Sequence, residues 1–274
     1  MSEDNGGATF GGVAFSDLGL LVTKVDIPLL PETRQTEEEI PDLDGTIDID
    51  TSYGPRLINL EVMMVASDEI EYQIRLQEMA KVFNARVGVK PLILDRFPGK
   101  RWMCKYNGTI PIEKIGPLGT FKLPFKAFYP FAESVTDTSS PWEYGQGYTY
   151  GMGLVYGSGE TYSVKSVPST FDVYHAGTHI AYPVIRITGT GSNITVTNNT
   201  TGESFTLSMS ISSGDVVEVR CAPLEQVVTL NGVDVTNVHD GVFPRLVEGD
   251  NSITITATLP NLEVAFIFRH TYLY

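Results

Sequence analysis

The chain has 274 residues and a net charge of −14 at pH 7, from 33 acidic and 19 basic residues. Because a surface that grips a phosphate backbone needs clustered Lys and Arg, this balance argues against specific nucleic-acid binding. No apolar run approaches the roughly 20 residues of a membrane span, and the acidic, Gly-rich start "MSEDNGGATF" lacks the basic region of a signal peptide. We therefore predict a soluble protein without membrane insertion.

Length and composition allow two domains, each with its own core, since 42% of the residues are apolar. The two cysteines, Cys104 and Cys221, fall in different halves of the chain and are interpreted as separate thiols. A segment rich in Gly and Tyr between residues 131 and 166 marks the junction. We predict an N-terminal domain over 1–138 and a C-terminal domain over 139–274.

An acidic segment, residues 32–50, follows the first strand-like run and holds eight carboxylates and one arginine. It superficially resembles a calcium loop. Aligning Gly45 with the turn of such a loop puts Ile40 at the first ligand position and Thr51 where the bidentate Glu belongs, so calcium binding is not predicted. Two interpretations remain open, a solvated loop and a functional negative surface.

The rest of the first half combines strand-like runs such as "RLINLEVMMV" and "GTFKLPFKAFYP" with one helical segment, Ser67 to Gly88. Asp68 and Glu71 have the spacing of a capping box, and Gly88 supplies the stop. Apolar residues at near-helical spacing predict one buried stripe. These residues are Ile70, Ile74, Met79, Phe83 and Val87. The first domain is therefore predicted to be α+β with a single helix.

The second half shows no helical pattern. Eight short strand-like runs follow one another from Tyr182, among them "YPVIRITG", "SNITVTN", "NSITITAT" and "EVAFIFRH". Asn231-Gly232 predicts a type I′ hairpin, because both central residues of that turn need positive φ. Gly249 with Asp250 and Asn251 predicts a bend just before an alternating strand. Short strands separated by turn residues predict an antiparallel sandwich or jelly roll.

Nothing in the sequence predicts catalysis, a cofactor or a metal ion. The chain has four histidines, which are His175, His179, His239 and His270. None of them lies in a recognisable nucleophile motif. His175 and His179 are four residues apart, but the "AGT" between them and the strand context do not form the helical face that would converge two imidazoles on zinc. "GTGSNIT" precedes a strand rather than a helix, so it does not form a dinucleotide site.

In their order and spacing, these segments resemble the distal tail protein family of long-tailed bacteriophages. The first half carries the resemblance in "FSDLGLLVTKVDIPLLP", "YGPRLINLEVMM" and the run from "LDRFPGKRW" to "FYPFAES". The second half carries it in "AYPVIRITGTGSNITVTN", "VTLNGVDVT" and "FPRLVEGDNSITITA". The chain departs from the family at Tyr129, where the family tends to have Asp before the proline.

The resemblance implies an α+β N-terminal domain with tail-tube-like sheets and one helix, followed by an all-β galectin-like or jelly-roll sandwich. It implies a structural virion protein at the phage tail tip, assembled in the host cytoplasm, that forms a homohexameric ring and lets the genome pass. The expected partners are the tail tube protein, the tail-associated hub protein and receptor-binding or accessory proteins. Under this interpretation the ring lumen is lined by seven candidate acidic residues: Glu37, Glu38, Glu39, Asp42, Asp44, Asp48 and Asp50.

Two alternatives remain. The first is a carbohydrate-binding module fused to an α+β domain, since a galectin-like frame is common among lectins and Trp102 or Trp142 could stack on a sugar. The second is a cell-wall glycosidase, which needs two carboxylates at a defined separation. No pair in the sequence stands out for that role.

Overall fold

The computed structural model describes residues 6–41, 44–109, 113–115, 118–139, 141 and 159–274. It divides into two compact units: unit 1 is Met1–Ala132 with Leu273–Tyr274, and unit 2 is Glu133–Tyr272. Half of the predicted junction, including Trp142, lies outside the described residues. The domain boundary at 138/139 stays a prediction.

Unit 1 contains most of the first eleven strands and the one α-helix of the described residues. The strands are β1 (Ala8–Phe10), β2 (Val13–Ala14), β3 (Leu20–Asp26), β4 (Thr33–Glu38), β5 (Ile47–Tyr53), β6 (Arg56–Val65), β7 (Lys90–Leu94), β8 (Lys100–Tyr106), β9 (Glu113–Ile115) and β10 (Leu118–Ala127), with β11 (Ala132–Ser134) at the unit boundary. The helix is α1 (Glu69–Val82), and short 3₁₀ turns cover Phe15–Leu18 and Ala85–Val87. The main sheet runs in the order β2-β1-β7-β8-β10-β6-β3, and β9 pairs with β10.

One face of this sheet forms the core of unit 1. Along β6 the even-numbered residues, from Arg56 to Met64, are buried, whereas the odd-numbered ones point outward. This is the period-2 alternation expected of a strand with one packed face. Phe83, which follows α1, packs in this core, with its ring centroid 5.8 Å from that of Phe10 and 6.0 Å from that of Phe125. The described residues are mostly β-sheet with one helix, as predicted.

The predicted helix is present over Glu69–Val82, but only two of the five residues of its predicted buried stripe, Met79 and Phe83, are buried. Ile70, Ile74 and Val87 are 73%, 51% and 63% exposed, while Tyr72 and Met79 are buried. The sequence offers two apolar faces in different phases, and the one that contains Tyr72 meets the core. The capping prediction is confirmed, since the backbone N–H of Glu71 donates to the Asp68 carboxylate at 2.8 Å.

Unit 2 contains ten further strands and no α-helix in its described part. They are β12 (Thr161–Val164), β13 (Ser169–His175), β14 (Val184–Asn198), β15 (Glu203–Ile211), β16 (Val216–Arg220), β17 (Val227–Leu230), β18 (Val233–Asp234), β19 (His239–Gly241), β20 (Gly249–Ile267) and β21 (Thr271–Tyr272). A short 3₁₀ turn covers Thr236–Val238. The sheet order is β12-β20-β14-β16-β17-β18, with β13 on β20, β15 on β14 and β19 on β15.

Two long strands organise unit 2, which corrects the prediction of eight short strands. The runs "YPVIRITG" and "SNITVTN" belong to the single strand β14, and "NSITITAT" and "EVAFIFRH" to β20. Each strand is interrupted by register shifts instead of a turn. The buried positions of β14 change from odd numbers, at Ile185 and Ile187, to even numbers, at Ile194 and Val196. Both halves of β14 and β20 thus contribute side chains to one core cluster.

The turn chemistry of unit 2 follows the sequence. Asn231 and Gly232 have φ of 51° and 81°, which confirms the type I′ hairpin. Gly249 has φ of 86° where β20 begins. Asn251 is fully buried, and its amide donates to the Val247 carbonyl at 2.8 Å and accepts from the Val247 N–H at 2.9 Å. The bend before β20 is therefore fastened by a buried amide that satisfies the loop backbone.

Candidate functional site

The acidic segment forms a hairpin that stands apart from the main sheet of unit 1. Strands β4 and β5 pair only with each other among the described strands, and every residue of both strands is exposed. The exposed residues include Ile47 and Ile49, which are 44% and 57% accessible. An isolated two-stranded hairpin is marginally stable in water. This hairpin, residues 33–53, is called the acidic hairpin below, and its geometry suits contact with another surface.

The register divides the acidic candidates between two faces. Glu37 pairs with Asp48, so both point to one face, whereas Asp50 pairs with Thr36 and shares the opposite face with Glu38. A bulge at this point of the ladder accounts for the change of phase. The two remaining described candidates, Glu39 and Asp44, are exposed in the connection, and Asp42 lies outside the described residues. The structure therefore does not bring the candidates together on a single wall.

A second charged surface of unit 1, not predicted from the sequence, lies on the outward face of the main sheet. Lys122 pairs with Glu61, Glu61 pairs with Lys24, and Lys105 pairs with Lys126, so these side chains share one face. We call these five residues the basic face. Glu61 is the one carboxylate among them, with its Oε1 atom 4.0 Å from Lys24 Nζ and 3.9 Å from Lys122 Nζ.

Phe128 adds an aromatic group beside the basic face. Its ring is 56% exposed, and its centroid lies 5.9 Å from Lys105 Nζ and 5.4 Å from Lys126 Nζ. The ring quadrupole attracts both ammonium groups and so offsets part of the repulsion between them. The sequence signal for this face was the lysine spacing in "FKLPFKAF", where lysines occupy the positions between buried apolar residues.

Three of the four histidines lie close together in unit 2. His175 Nδ1 lies 3.2 Å from His270 Nδ1, and His175 Nε2 lies 2.6 Å from the carbonyl oxygen of His179. Burial lowers the pKa of His175 and lowers that of His270 to about 3. These rings are therefore neutral near pH 7. Within the described residues, no three His, Cys, Asp or Glu side chains are arranged to hold a metal ion.

The remaining candidate groups are buried. Cys104 and Cys221 are separate buried thiols, as predicted, and burial raises the pKa of Cys104 to about 12 and that of Cys221 as well. Thiols with raised pKa values are poor nucleophiles at neutral pH. Trp102 is fully buried and contacts Phe97, so it cannot stack on a sugar. Among the described residues, no helix has the length and apolar character that crossing a bilayer requires.

Comparison with known proteins identifies the class. Residues 15–127 match the family described as phage tail protein RIFT-related domain, and residues 176–272 match the siphovirus-type tail component, C-terminal domain. Both units therefore belong to a phage tail protein. The two matches occur in one chain in the predicted order, and the chain belongs to the distal tail protein family of siphovirus-type phages. The resemblance predicted from the sequence is confirmed.

A solved structure shares this fold. The crystal structure of the Dit protein (gp 19.1) of phage SPP1, described as a paradigm of the hub adsorption apparatus in phages that infect Gram-positive bacteria, superimposes with a TM-score of 0.71. That match covers 97% of this chain and 98% of the SPP1 protein at 13% identity. Two structures of the phage p2 baseplate in its activated conformation contain chains that match with a TM-score of 0.48. The chain in the structure with Sr is 9% identical, and the match covers 96% of this chain and 97% of that one. The chain in the structure with Ca is 10% identical, and the match covers 92% of this chain and 90% of that one. No curated protein sequence matches the chain.

These findings define the role of the protein. It is a structural component of the distal tail of a phage.

Proposed function

We propose that this protein forms a closed ring of six copies at the end of the tail tube, joins the tube to the host-adsorption apparatus and lets the genome pass through its centre. The observation that carries the proposal is that one unit bears two exposed surfaces of opposite charge, the acidic hairpin and the basic face. A ring needs a heterologous interface, in which one patch of each subunit meets a different patch of its neighbour. Two unlike surfaces on unit 1 meet that requirement.

Charge and exposed apolar area both favour contact between these surfaces of adjacent copies. The acidic hairpin offers carboxylates with Ile47 and Ile49 between them, and the sheet face that holds the basic residues also exposes Leu57, which is 47% accessible. Opposite potentials steer association and fix its register, whereas apolar contact supplies most of the affinity. Because the charged groups are exposed, the interface weakens as salt increases.

The register of the acidic hairpin limits which of its carboxylates can border the central passage of the ring. Only one hairpin face can meet a neighbouring subunit while the other remains open, so either the Glu37 and Asp48 face or the Glu38 and Asp50 face borders the passage. Carboxylates there repel DNA phosphates and offer no adhesive contacts, which favours the release of a polyanion.

For unit 2 we propose a galectin-like sandwich that lies at the periphery of the ring. The two long strands β14 and β20 take part in two sets of paired strands. The C-terminal half of β14 and the N-terminal half of β20 pair with each other and with β15 and β13, and β19 adds to β15. The other halves pair with each other and with β16 and β12, and β17 and β18 follow β16. Both halves bury side chains in the same core cluster, which supports two sheets packed face to face. The partners proposed for the intact protein are the tail tube protein, the tail-associated hub protein and receptor-binding or accessory proteins.

The test is the oligomeric state of the full chain, measured by light scattering with negative-stain microscopy. We expect a sixfold ring at low salt. The charge reversal Lys122→Glu with Lys126→Glu should dissociate it. So should the reversal of whichever hairpin face meets the neighbour, either Glu37→Lys with Asp48→Lys or Glu38→Lys with Asp50→Lys. Combining that hairpin reversal with the two lysine changes should restore the ring.

The reversal Lys165→Glu changes the charge of an exposed residue of unit 2 and serves as the matched control, with no expected effect. A wild-type protein that stays monomeric both alone and with a tail tube partner would refute the ring. A ring that is insensitive to the lysine reversal and to both hairpin reversals would leave the ring proposal standing and refute these two surfaces as its interface.

A further inference from the structure

Glu160 is a buried carboxyl group in unit 2, only 6% exposed, and it directly precedes β12. Its backbone carbonyl accepts a hydrogen bond from the Phe266 N–H of β20 at 2.8 Å. Its side chain points to the hydroxyl group of Tyr162, and Glu160 Oε2 and Tyr162 Oη are hydrogen-bonded. The same hydroxyl oxygen lies 2.6 Å from the backbone carbonyl oxygen of Asp172 on β13.

This arrangement needs one more proton than the phenol supplies. A tyrosine hydroxyl has a single proton to donate, while a backbone carbonyl can only accept. If Tyr162 donates to Asp172, the remaining contact, between Tyr162 and Glu160, has a donor only when the Glu160 carboxyl carries a proton. A protonated Glu160 completes a chain in which Glu160 donates to Tyr162 and Tyr162 donates to the Asp172 carbonyl.

The surroundings of Glu160 favour the protonated form. Burial raises the pKa of its carboxyl group, and the negative charge of Asp250 on β20 raises it further. Hydrogen bonds from Tyr162 and from the Tyr174 backbone on β13 oppose this rise without cancelling it. Asp172, whose side chain is exposed, adds a second negative charge near Tyr162.

We propose that Glu160 is a proton-binding site and that its proton fastens β12 to β13 through Tyr162. Strand β12 lies at the edge of its sheet, and within the described part of the chain it pairs with residues 262–265 of β20 alone, whereas β13 pairs with residues 249–255 at the other end of that strand. The ring of Tyr162 stacks on Phe171 of β13 with centroids 3.8 Å apart. The hydrogen bonds through the Tyr162 hydroxyl and this ring stack together connect β12 to β13, which pair with opposite ends of β20.

Loss of the proton reverses the arrangement. The Glu160 proton passes to water, the carboxylate becomes an acceptor only, and the Tyr162 hydroxyl turns toward it, so the Asp172 carbonyl loses its donor. Because the folded-state pKa is raised, the link is complete below the ordinary pKa of a glutamate. It is lost as the pH rises through the folded-state value. Unit 2 thus loosens at its β12 edge on the alkaline side.

The decisive measurement is the titration of Glu160 in the full-length protein by carbon NMR, together with hydrogen exchange at the β12 amides. We expect Glu160 to titrate above the ordinary glutamate range. The protection factors of Thr161 to Val164, corrected for intrinsic exchange, should fall about tenfold across the same pH interval. This factor equals about 1.4 kcal/mol, near the upper end for one hydrogen bond.

Glu160→Gln is the informative variant, because its amide donates to Tyr162 at every pH. It should retain the protection of β12 through the interval in which the wild type loses it. Glu263→Gln is the matched control: Glu263 lies on β20 opposite Ser163 of β12 but is exposed, so this change should leave the wild-type pH profile unaltered.

A Glu160 that titrates in or below the ordinary range would overturn the proposal. So would a Glu160→Gln protein, folded by circular dichroism, whose β12 amides follow the wild-type profile. The wild-type titration decides the question even if the variant does not fold. Neither result bears on the ring, so this inference and the proposed function fail separately.

Discussion

Removal of Leu273 and Tyr274 should destabilise unit 1, because these residues supply an acceptor to a buried cation. Arg56 is only 1% exposed, and burial lowers its pKa. Its Nη1 donates to the Pro28 carbonyl at 3.1 Å and its Nη2 to the Leu273 carbonyl at 2.5 Å. Without Leu273, the guanidinium keeps its burial but loses one of these two acceptors.

Tyr274 adds packing and a further polar contact. Its ring meets Phe97 edge-on with centroids 5.6 Å apart, and its backbone oxygen accepts from Lys100 Nζ at 2.5 Å. A donor left unsatisfied on a buried charged group costs about 2–3 kcal/mol, and the aromatic pair contributes about 1 kcal/mol. We therefore expect the truncation to lower the free energy of unfolding of unit 1 by about 3–4 kcal/mol.

The assay is urea unfolding of the full chain in a Trp142→Phe background, followed by the fluorescence of buried Trp102, which lies in unit 1. A double-mutant cycle with Arg56→Met separates the two contributions. In the Met background the truncation should cost only about 1 kcal/mol, because no buried charge loses its acceptor. An equal loss of unfolding free energy in the Arg56 and Arg56→Met backgrounds would refute the reasoning. The control Tyr274→Phe keeps the ring and the backbone oxygen, so it should change the free energy of unfolding little.

Three further predictions concern backbone conformation, pH and the passage. In thermal unfolding, Gly189→Ala should lower the free energy of unfolding by more than about 3 kcal/mol, because a Cβ at this positive φ would lie 2.1 Å from the Asn261 carbonyl oxygen. Gly232→Ala is the control. Gly232 also has positive φ, but no atom of the described residues lies within 4 Å of its Cβ position, so this change should cost about 1 kcal/mol. Acidification from about pH 7 to 4 should destabilise unit 2, because His270 stays neutral in the fold while the unfolded chain takes up a proton near pH 6.5; an unchanged slope in folded His270→Asn would contradict this. Cryo-electron microscopy of the ring should find one face of the acidic hairpin toward the passage, and both faces directed away would end the passage proposal.

Local chemistry explains which features could be predicted from the sequence. Alternating runs specify strands because side chains alternate between faces, and Asn231-Gly232 specifies its turn because both residues accept positive φ. The cap at Asp68 follows from the same kind of local rule. The order of these features along the chain was enough to indicate the family, although each feature alone is common.

The features that could not be predicted depend on contacts distant in sequence. Gly189 lies in β14 and has φ of 107°, which resembles a strand end locally, yet the strand continues because β20 pairs with it on both sides of the irregularity. Ile70 and Ile74 satisfy a helical period, but the sheet beneath α1 selects the face that contains Tyr72 instead. The proton chain proposed for Glu160 joins this residue, which precedes β12, to Tyr162 on β12 and to Asp172 on β13, and no local pattern marks it.

Net charge was a poor guide to the surfaces that matter. A total of −14 argues against a basic surface, yet strand pairing assembles one from Lys24, Lys105, Lys122 and Lys126, which are scattered over three strands. The composition argument against DNA binding then holds only if this face is covered in the assembled tail. A neighbouring acidic hairpin would cover it, which leaves carboxylates rather than lysines available to border the passage. The same contact that closes the proposed ring would therefore keep the genome from adhering to it.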